Sequence, residues 1–238
     1  PRKGREDVFQ AALVGYTNAG KSSLLRAMSG SDVFVEDRLF ATLDAATRVV
    51  DIGGGYECLL TDTVGFIRKL PHHLVASFRA TLEEAKDADL LLHVIDISHV
   101  GWEEQKYVVE EVLADLGLDE QPTVLVFNKT DRLTHQEEES WRQRVLVQYS
   151  ERSVFVSAVE AAGVESLREL LRTMNRSVNP EVRVSIPAEQ GAVLAEIYRE
   201  GEVLNREDGD GRVTVRARLP AATLGRLRQQ PEIQVTDA

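Results

Sequence analysis

The sequence predicts an α/β fold, a mostly parallel sheet flanked by helices, followed by a smaller α+β domain. Two observations lead there. Short apolar runs rich in β-formers alternate with segments whose apolar residues recur at helical spacing, the pattern of parallel strands joined by crossover helices. After the break at Asn179-Pro180 the order becomes strand, helix, strand, strand, helix, strand, which is ferredoxin-like. The 238 residues are 43% hydrophobic and 28% charged, a globular composition that excludes collagen-like, low-complexity and disordered chains. We therefore expect a larger domain over residues 1–180 and a smaller one over 181–238.

The elements follow in order. Predicted strands are Val8 to Val14, Tyr56 to Thr61, Leu90 to Ile95, Thr123 to Phe127 and Val154 to Val156. A helix begins near Ser22. Another carries Val108, Val109, Val112, Leu113 and Leu116, with Gly117 as its stop. Thr134 and Glu137 form a capping box, so the acidic run at Glu137 reads as a helix start rather than a metal site. A further helix carries Val164, Leu167, Leu170, Leu171 and Met174. The smaller domain reads as strand Val182 to Ile186, helix Gln190 to Arg199, and strand Val203 to Arg206. A turn at Asp208-Gly-Asp-Gly211, strand Arg212 to Leu219, helix Ala221 to Arg228 and strand Ile233 to Val235 complete it.

Charge and cysteine usage narrow the function classes. A net charge of -11 excludes coating of nucleic acid through bulk charge, so any RNA contact needs a local patch. Arg212, Thr214, Arg216 and Arg218 share one sheet face; they read either as a row paired with acids such as Glu202 or as an rRNA contact. The single cysteine, Cys58, permits no intrachain disulfide and points to a reducing, cytoplasmic setting. The longest apolar stretch, Leu90 to Ile95, is too short to cross a bilayer. A monomer is expected, and Pro1 in place of Met points to a fragment.

Gly15-Tyr-Thr-Asn-Ala-Gly-Lys-Ser22 fits G-x-x-x-x-G-K-[ST] between a strand and a helix. Gly15 and Gly20 let backbone N–H groups turn inward around phosphate oxygens at the positive end of a helix dipole. Gly15, Tyr16, Thr17, Asn18, Ala19, Gly20, Lys21, Ser22 and Ser23 form the candidate phosphate-binding set. Lys21 supplies charge to the β- and γ-phosphates, and Ser22 is a hard oxygen ligand for Mg²⁺. Asp62-Thr-Val-Gly65 ends the strand at Thr61; its carboxylate can reach Mg²⁺, and the Gly65 N–H can donate to the γ-phosphate. Between these motifs, Thr42 is the candidate hydroxyl that closes on Mg²⁺, with Thr47 its competitor at a strand start. Lys21, Thr42 and Gly65 are the candidate catalytic residues.

Asn128-Lys-Thr-Asp131 supplies base recognition. A carboxylate only accepts, so Asp131 suits the N1–H and 2-amino donors of guanine, which adenine lacks. Discrimination of roughly 10⁴ or more is expected from unpaired polar groups in the wrong complex. Asn128 braces the loop against the phosphate loop, the Lys129 stem lies over the ring, and Ser157-Ala158 presents backbone N–H to the guanine O6. The set predicts a site for GTP and its product GDP.

Ala12-Leu-Val-Gly-Tyr-Thr-Asn-Ala-Gly-Lys-Ser, Leu39-Phe-Ala-Thr-Leu-Asp, Leu60-Thr-Asp-Thr-Val-Gly-Phe-Ile-Arg and Leu70-Pro-His-His-Leu closely resemble HflX-type GTPases. The resemblance implies a P-loop GTPase domain followed by a C-terminal domain. It also implies a role on the large ribosomal subunit in splitting stalled ribosomes. The family's additional N-terminal domain would precede residue 1, with Arg2, Lys3 and Arg5 as the end of a linker. Where many GTPases place a water-orienting Gln, this chain has Phe66, so turnover of about 10⁻⁴ s⁻¹ is expected, raised roughly 10³- to 10⁵-fold by an activator such as the subunit. His72, His73 and Arg68 are weighed as helpers in cis. In relatives whose phosphate loop reads Asn-x-Gly-Lys-Ser the Asn can ligate K⁺, a role that would fall to Asn18. The alternatives are an RNA-modification or ribosome-assembly GTPase, and a nucleotide switch that does not hydrolyse.

Overall fold

A computed structural model describes residues 8–30, 46–54, 56–66, 85–149, 152–160, 162–209 and 211–237. The chain divides into two compact units, one within Phe9–Arg172 and the other within Thr173–Ala238. The division falls inside a helix, ahead of the Asn179-Pro180 break at which the sequence places it.

The larger unit is built on a six-stranded sheet. Its strands are β1 (Gln10–Gly15), β2 (Ala46–Gly53), β3 (Tyr56–Asp62), β4 (Leu90–Asp96), β5 (Thr123–Asn128) and β6 (Ser153–Phe155), in the spatial order β2-β3-β1-β4-β5-β6. All pairings are parallel except β2 with β3, an antiparallel hairpin. The central strands are covered on both faces, which is why they read as near-continuous apolar runs rather than alternating ones. The residues Leu90, Leu91, Leu92 and Val94 of β4, and Val124 to Phe127 of β5, are all buried.

Among the described residues, helices α1 (Lys21–Ser29), α2 (Trp102–Asp115) and α3 (His135–Gln148) belong to this unit, and α4 (Glu165–Val178) carries the chain onward. Gly117, with φ 69°, follows the end of α2 as the expected left-handed stop. Thr134 and Glu137 make a reciprocal capping box at the start of α3. Arg168 on α4 donates to the carbonyls of Met28 (2.8 Å) and Ala27 (3.4 Å), which the end of α1 leaves without helical partners, and also to the Asp51 carbonyl on β2. One side chain thus ties the helix that follows the phosphate loop to the β2–β3 hairpin.

Chain order places β3 on one side of β1 and β4 on the other. The direction of winding reverses beside the carboxyl end of β1, and open α/β sheets hold ligands in the crevice formed there. Gly15, Asp62, Asp96 and Asn128 are the last residues of β1, β3, β4 and β5 and so reach the same edge.

The smaller unit holds β7 (Glu181–Pro187), α5 (Gly191–Glu200), β8 (Glu202–Gly209), β9 (Arg212–Arg218), α6 (Ala221–Arg228) and β10 (Gln234–Asp237). Its sheet is fully antiparallel in the order β10-β7-β9-β8, the ferredoxin-like arrangement expected from the chain order. Val182, Val184, Ile186, Val213, Val215 and Ala217 form its core with Ile197, Leu224 and Leu227 from the helices. On the polar face Arg218 pairs with Glu181 at 2.8 Å and with Glu202 at 3.1 Å, and Arg216 pairs with Glu181 at 3.3 Å. The paired reading of that arginine row therefore holds for these two residues.

Candidate functional site

The phosphate loop is shaped by three unusual backbone positions. Gly15 has φ 153°, Asn18 φ 60° and Gly20 φ 97°, so the chain curls before entering α1. At Gly20 a Cβ atom would stand 2.2 Å from the Asn128 amide nitrogen, so only glycine permits that approach. The loop is anchored from the other side by the segment after β3. The Phe66 N–H donates to the Gly15 carbonyl at 3.1 Å, and the Thr17 N–H to the Phe66 carbonyl at 2.8 Å. The Phe66 ring is fully buried among Ala12, Val14, Val64 and Leu91, so the residue after Gly65 belongs to the core and offers no side chain to water.

Lys21 is buried, and its Nζ donates to the carbonyls of Gly15 (3.2 Å) and Tyr16 (3.3 Å). Burial pushes its ammonium down from 10.5 to about 8, partly offset by the nearby Asp62 carboxylate. The Asp62 carboxylate accepts from the Ser22 hydroxyl at 2.5 Å, which brings two hard oxygen donors together at the start of α1. Gly65 lies against the loop: a Cβ there would stand 2.9 Å from the Thr17 Cα and 3.2 Å from the Lys21 Nζ. Tyr16 packs against the core beside Phe66, Ala19 is buried, and Ser22 and Ser23 are half-buried on α1. Asn18 is exposed.

The second half of the site hangs from β5 and β6. Asn128 is buried; its Nδ2 donates to the Ala19 carbonyl at 2.9 Å, and its Oδ1 accepts from the Ala158 N–H at 3.3 Å. One amide therefore joins the phosphate loop to the loop after β6. Lys129, with φ 68°, donates from Nζ to the Asn18 carbonyl at 2.8 Å. Asp131 accepts from the Ser157 hydroxyl at 2.6 Å.

One expectation is corrected at Ser157. Its N–H is committed to the Gly163 carbonyl at 2.9 Å, so it takes part through its hydroxyl. The Ala158 N–H, with only a long bond to Asn128, is the donor left for a base oxygen. Thr47 bonds the Thr61 hydroxyl at 2.9 Å within the hairpin. Thr42, Arg68, His72 and His73 lie outside the described residues.

Sequence reasoning passed over two residues. Asp96, at the end of β4, pairs with Lys129 at 2.7 Å; its place at the end of an apolar strand was the available signal. Gly163 is the other: a Cβ there would stand 2.2 Å from the Ser157 carbonyl oxygen, and nothing in the local pattern marks it. Cys58 is buried, and burial pushes its thiol up to about 12, so it is chemically quiet. His93 is also buried, and burial holds its imidazole down to about 3, with Lys106 and Lys21 adding to the effect.

Comparison with known proteins gives a consistent result. Residues 10–129 match the family model described as 50S ribosome-binding GTPase, and residues 143–232 match the one described as HflX C-terminal domain. The GTPase HflX of Magnetococcus marinus is 43% identical over 97% of this chain and 53% of its own length. That of Escherichia coli is 38% identical over 96% of this chain and 54% of its own. The chain thus spans about half the length of the curated relatives it matches. Among solved structures, a GTP-binding protein from the hyperthermophilic archaeon Sulfolobus solfataricus in complex with GDP is 27% identical at a TM-score of 0.56. It covers 71% of this chain and 53% of that one. Among the described residues no helix is long and apolar enough to cross a membrane.

Proposed function

Because the chain belongs to the HflX GTPase family, we propose that it binds Mg²⁺-GTP and hydrolyses it by attack of water on the γ-phosphate, in the cytoplasm and in association with the large ribosomal subunit. The observation that carries the reading is the Asp131 carboxylate, fixed by the Ser157 hydroxyl on a loop that Asn128 ties to the phosphate loop. An acceptor-only group held in that place selects a base edge that offers two donors, which is guanine. The Ala158 N–H meets O6, and the Lys129 stem covers the ring.

The residues at the loop mouth fit a hard divalent cation, since the Ser22 hydroxyl and Asp62 carboxylate already converge. When bound, Mg²⁺ supplies neutralisation of charge on the β- and γ-oxygens. Thr42 is proposed as its switching ligand. Lys21 and the N–H groups at the start of α1 hold the phosphates, and the Gly65 N–H holds the γ-oxygen. With Phe66 in the core, this chain places no water-orienting side chain at that position, so turnover is slow until the subunit supplies order or charge. Splitting of stalled ribosomes is the proposed outcome of that encounter. The exposed Asn18 amide is proposed to hold K⁺ beside the phosphates.

The test is steady-state GTP hydrolysis with and without purified large subunits, in matched KCl and NaCl. Stimulation of about 10³-fold or more by subunits supports the reading. Intact GTP binding without stimulation contradicts the proposed partner, and equal rates in the two salts contradict the K⁺ site.

A further inference from the structure

We propose that Asp96 is a positioning residue of the nucleotide site, setting the Lys129 ammonium that links the base loop to the phosphate loop. The inference rests on the guanine-nucleotide reading above. Asp96 ends β4 directly opposite Asn128, so strand register delivers its carboxylate to the root of the base loop. One oxygen stands 2.7 Å from the Lys129 Nζ, and the two side chains are only 13% and 14% exposed. The same Nζ donates to the Asn18 carbonyl at 2.8 Å, inside the phosphate loop. The other carboxylate oxygen accepts from the Ser98 N–H at 3.1 Å and from the Ser98 hydroxyl at 2.6 Å. The Ile97 N–H donates to the Asn128 carbonyl at 3.1 Å, which pins the strand end itself. The carboxylate is therefore held at both oxygens on a rigid support.

Lysine is a point charge on a flexible stem, so its partners decide where the ammonium rests. Its left-handed backbone adds no constraint on the far end of that stem. Fixing a lysine side chain costs rotamer freedom. Asp96 meets that cost within the folded chain, so a nucleotide sliding under the stem need not, which is preorganisation. Asp96 also neutralises the ammonium. Without it the charge is free to swing toward solvent or the phosphates, and the Asn18 carbonyl loses its donor. The γ-phosphate chemistry is not touched, so the loss falls on binding alone.

The experiment compares Asp96→Asn and Ser98→Ala, each alone and in a Lys129→Met background, by fluorescent GDP release and steady-state GTP hydrolysis. Asp96→Asn keeps an acceptor for Ser98 but removes the charge facing Lys129. Expected are GDP release about tenfold faster and a KM for GTP raised by about the same factor with kcat unchanged. Ser98→Ala, which leaves the Ser98 N–H to hold the same Asp96 oxygen, should alter neither by more than about twofold, and Asp96→Asn should add less than about twofold in the Lys129→Met background. Equal acceleration in both backgrounds would place the effect in the 96–98 turn and overturn the proposal. So would a fall in kcat, or unchanged release from a protein that binds GDP. If the unsubstituted chain binds no guanine nucleotide, the functional reading falls first and this inference falls with it, a result visible before any substitution is made.

Discussion

Replacing Asn128 with alanine tests how the two halves of the site are joined. The side chain is buried and serves two partners at once, donating to the Ala19 carbonyl at 2.9 Å and accepting from the Ala158 N–H at 3.3 Å. Alanine removes both. The Ala19 residue is itself buried, so its carbonyl would be left unmade at a cost of about 1–3 kcal/mol. The Ala158 bond is long and half-exposed, so its loss adds about 1 kcal/mol or less. A total of about 1–4 kcal/mol is a large part of the ~5–15 kcal/mol that holds a domain together. Nucleotide-free Asn128→Ala should melt about 2–15 °C below the parent chain by calorimetry. Because the phosphate loop then loses its brace, GDP affinity measured by titration calorimetry should fall at least about tenfold. Asn128→Asp should be no milder, since it turns a carboxylate oxygen toward the Ala19 carbonyl. A melting temperature within a degree or so of the parent, together with unchanged GDP affinity, would refute the reasoning.

Two buried groups and one close backbone approach around the site give three further outcomes. Lys21 titrates near 8 in the folded chain against 10.5 in the unfolded one, so between those values the unfolded chain binds more protons and stability rises with pH. Lys21→Met should abolish that rise, raise the nucleotide-free Tm near pH 7, and eliminate tight GTP binding. His93 stays neutral down to about 3 against an unfolded value of 6.5, so stability is lost as pH falls through that window. His93→Leu should flatten the loss, read as urea midpoints at pH 7 and pH 4.5. Gly163→Ala would force a Cβ to within 2.2 Å of the Ser157 carbonyl oxygen and displace the loop that holds Asp131. GTP affinity should drop about tenfold with the melting temperature of the smaller unit unchanged.

Strands β1, β3, β4 and β5 are legible because each is a short apolar run that must be covered on both faces, and Asp62 and Asn128 at the ends of two of them mark the edge where ligands bind. Strand β2, polar and largely exposed, shows in the sequence only as a strand start at Thr47. The capping box at Thr134 was legible because it is a local pattern of hydrogen bonds. What the sequence concealed depends on contacts between residues far apart along the chain. Nothing near Gly163 signals that the Ser157 backbone passes 2.2 Å from where its Cβ would be, and nothing near Arg168 signals that it closes the end of α1. Asp96 follows the apolar run Leu90 to Ile95 with nothing local to mark a role. Its partner is on the next strand's loop, so only the β4–β5 register reveals the pair. The sequence gives no sign that the Gly163 carbonyl takes the Ser157 N–H.

The central claim is that this site reads guanine through Asp131, and base selectivity of Asp131→Asn tests it most directly. Asparagine keeps an oxygen to accept from Ser157, so the loop should hold, but its amide nitrogen would face the guanine donors. Losing charge-assisted bonds worth about 1.5–3 kcal/mol each should weaken GTP by about a hundredfold or more. Xanthosine triphosphate, which offers an acceptor where guanine has its amino group, should bind more tightly than to the parent chain. Unchanged GTP affinity with no gain for xanthosine triphosphate would contradict the assignment of Asp131 and, with it, the account of the base site.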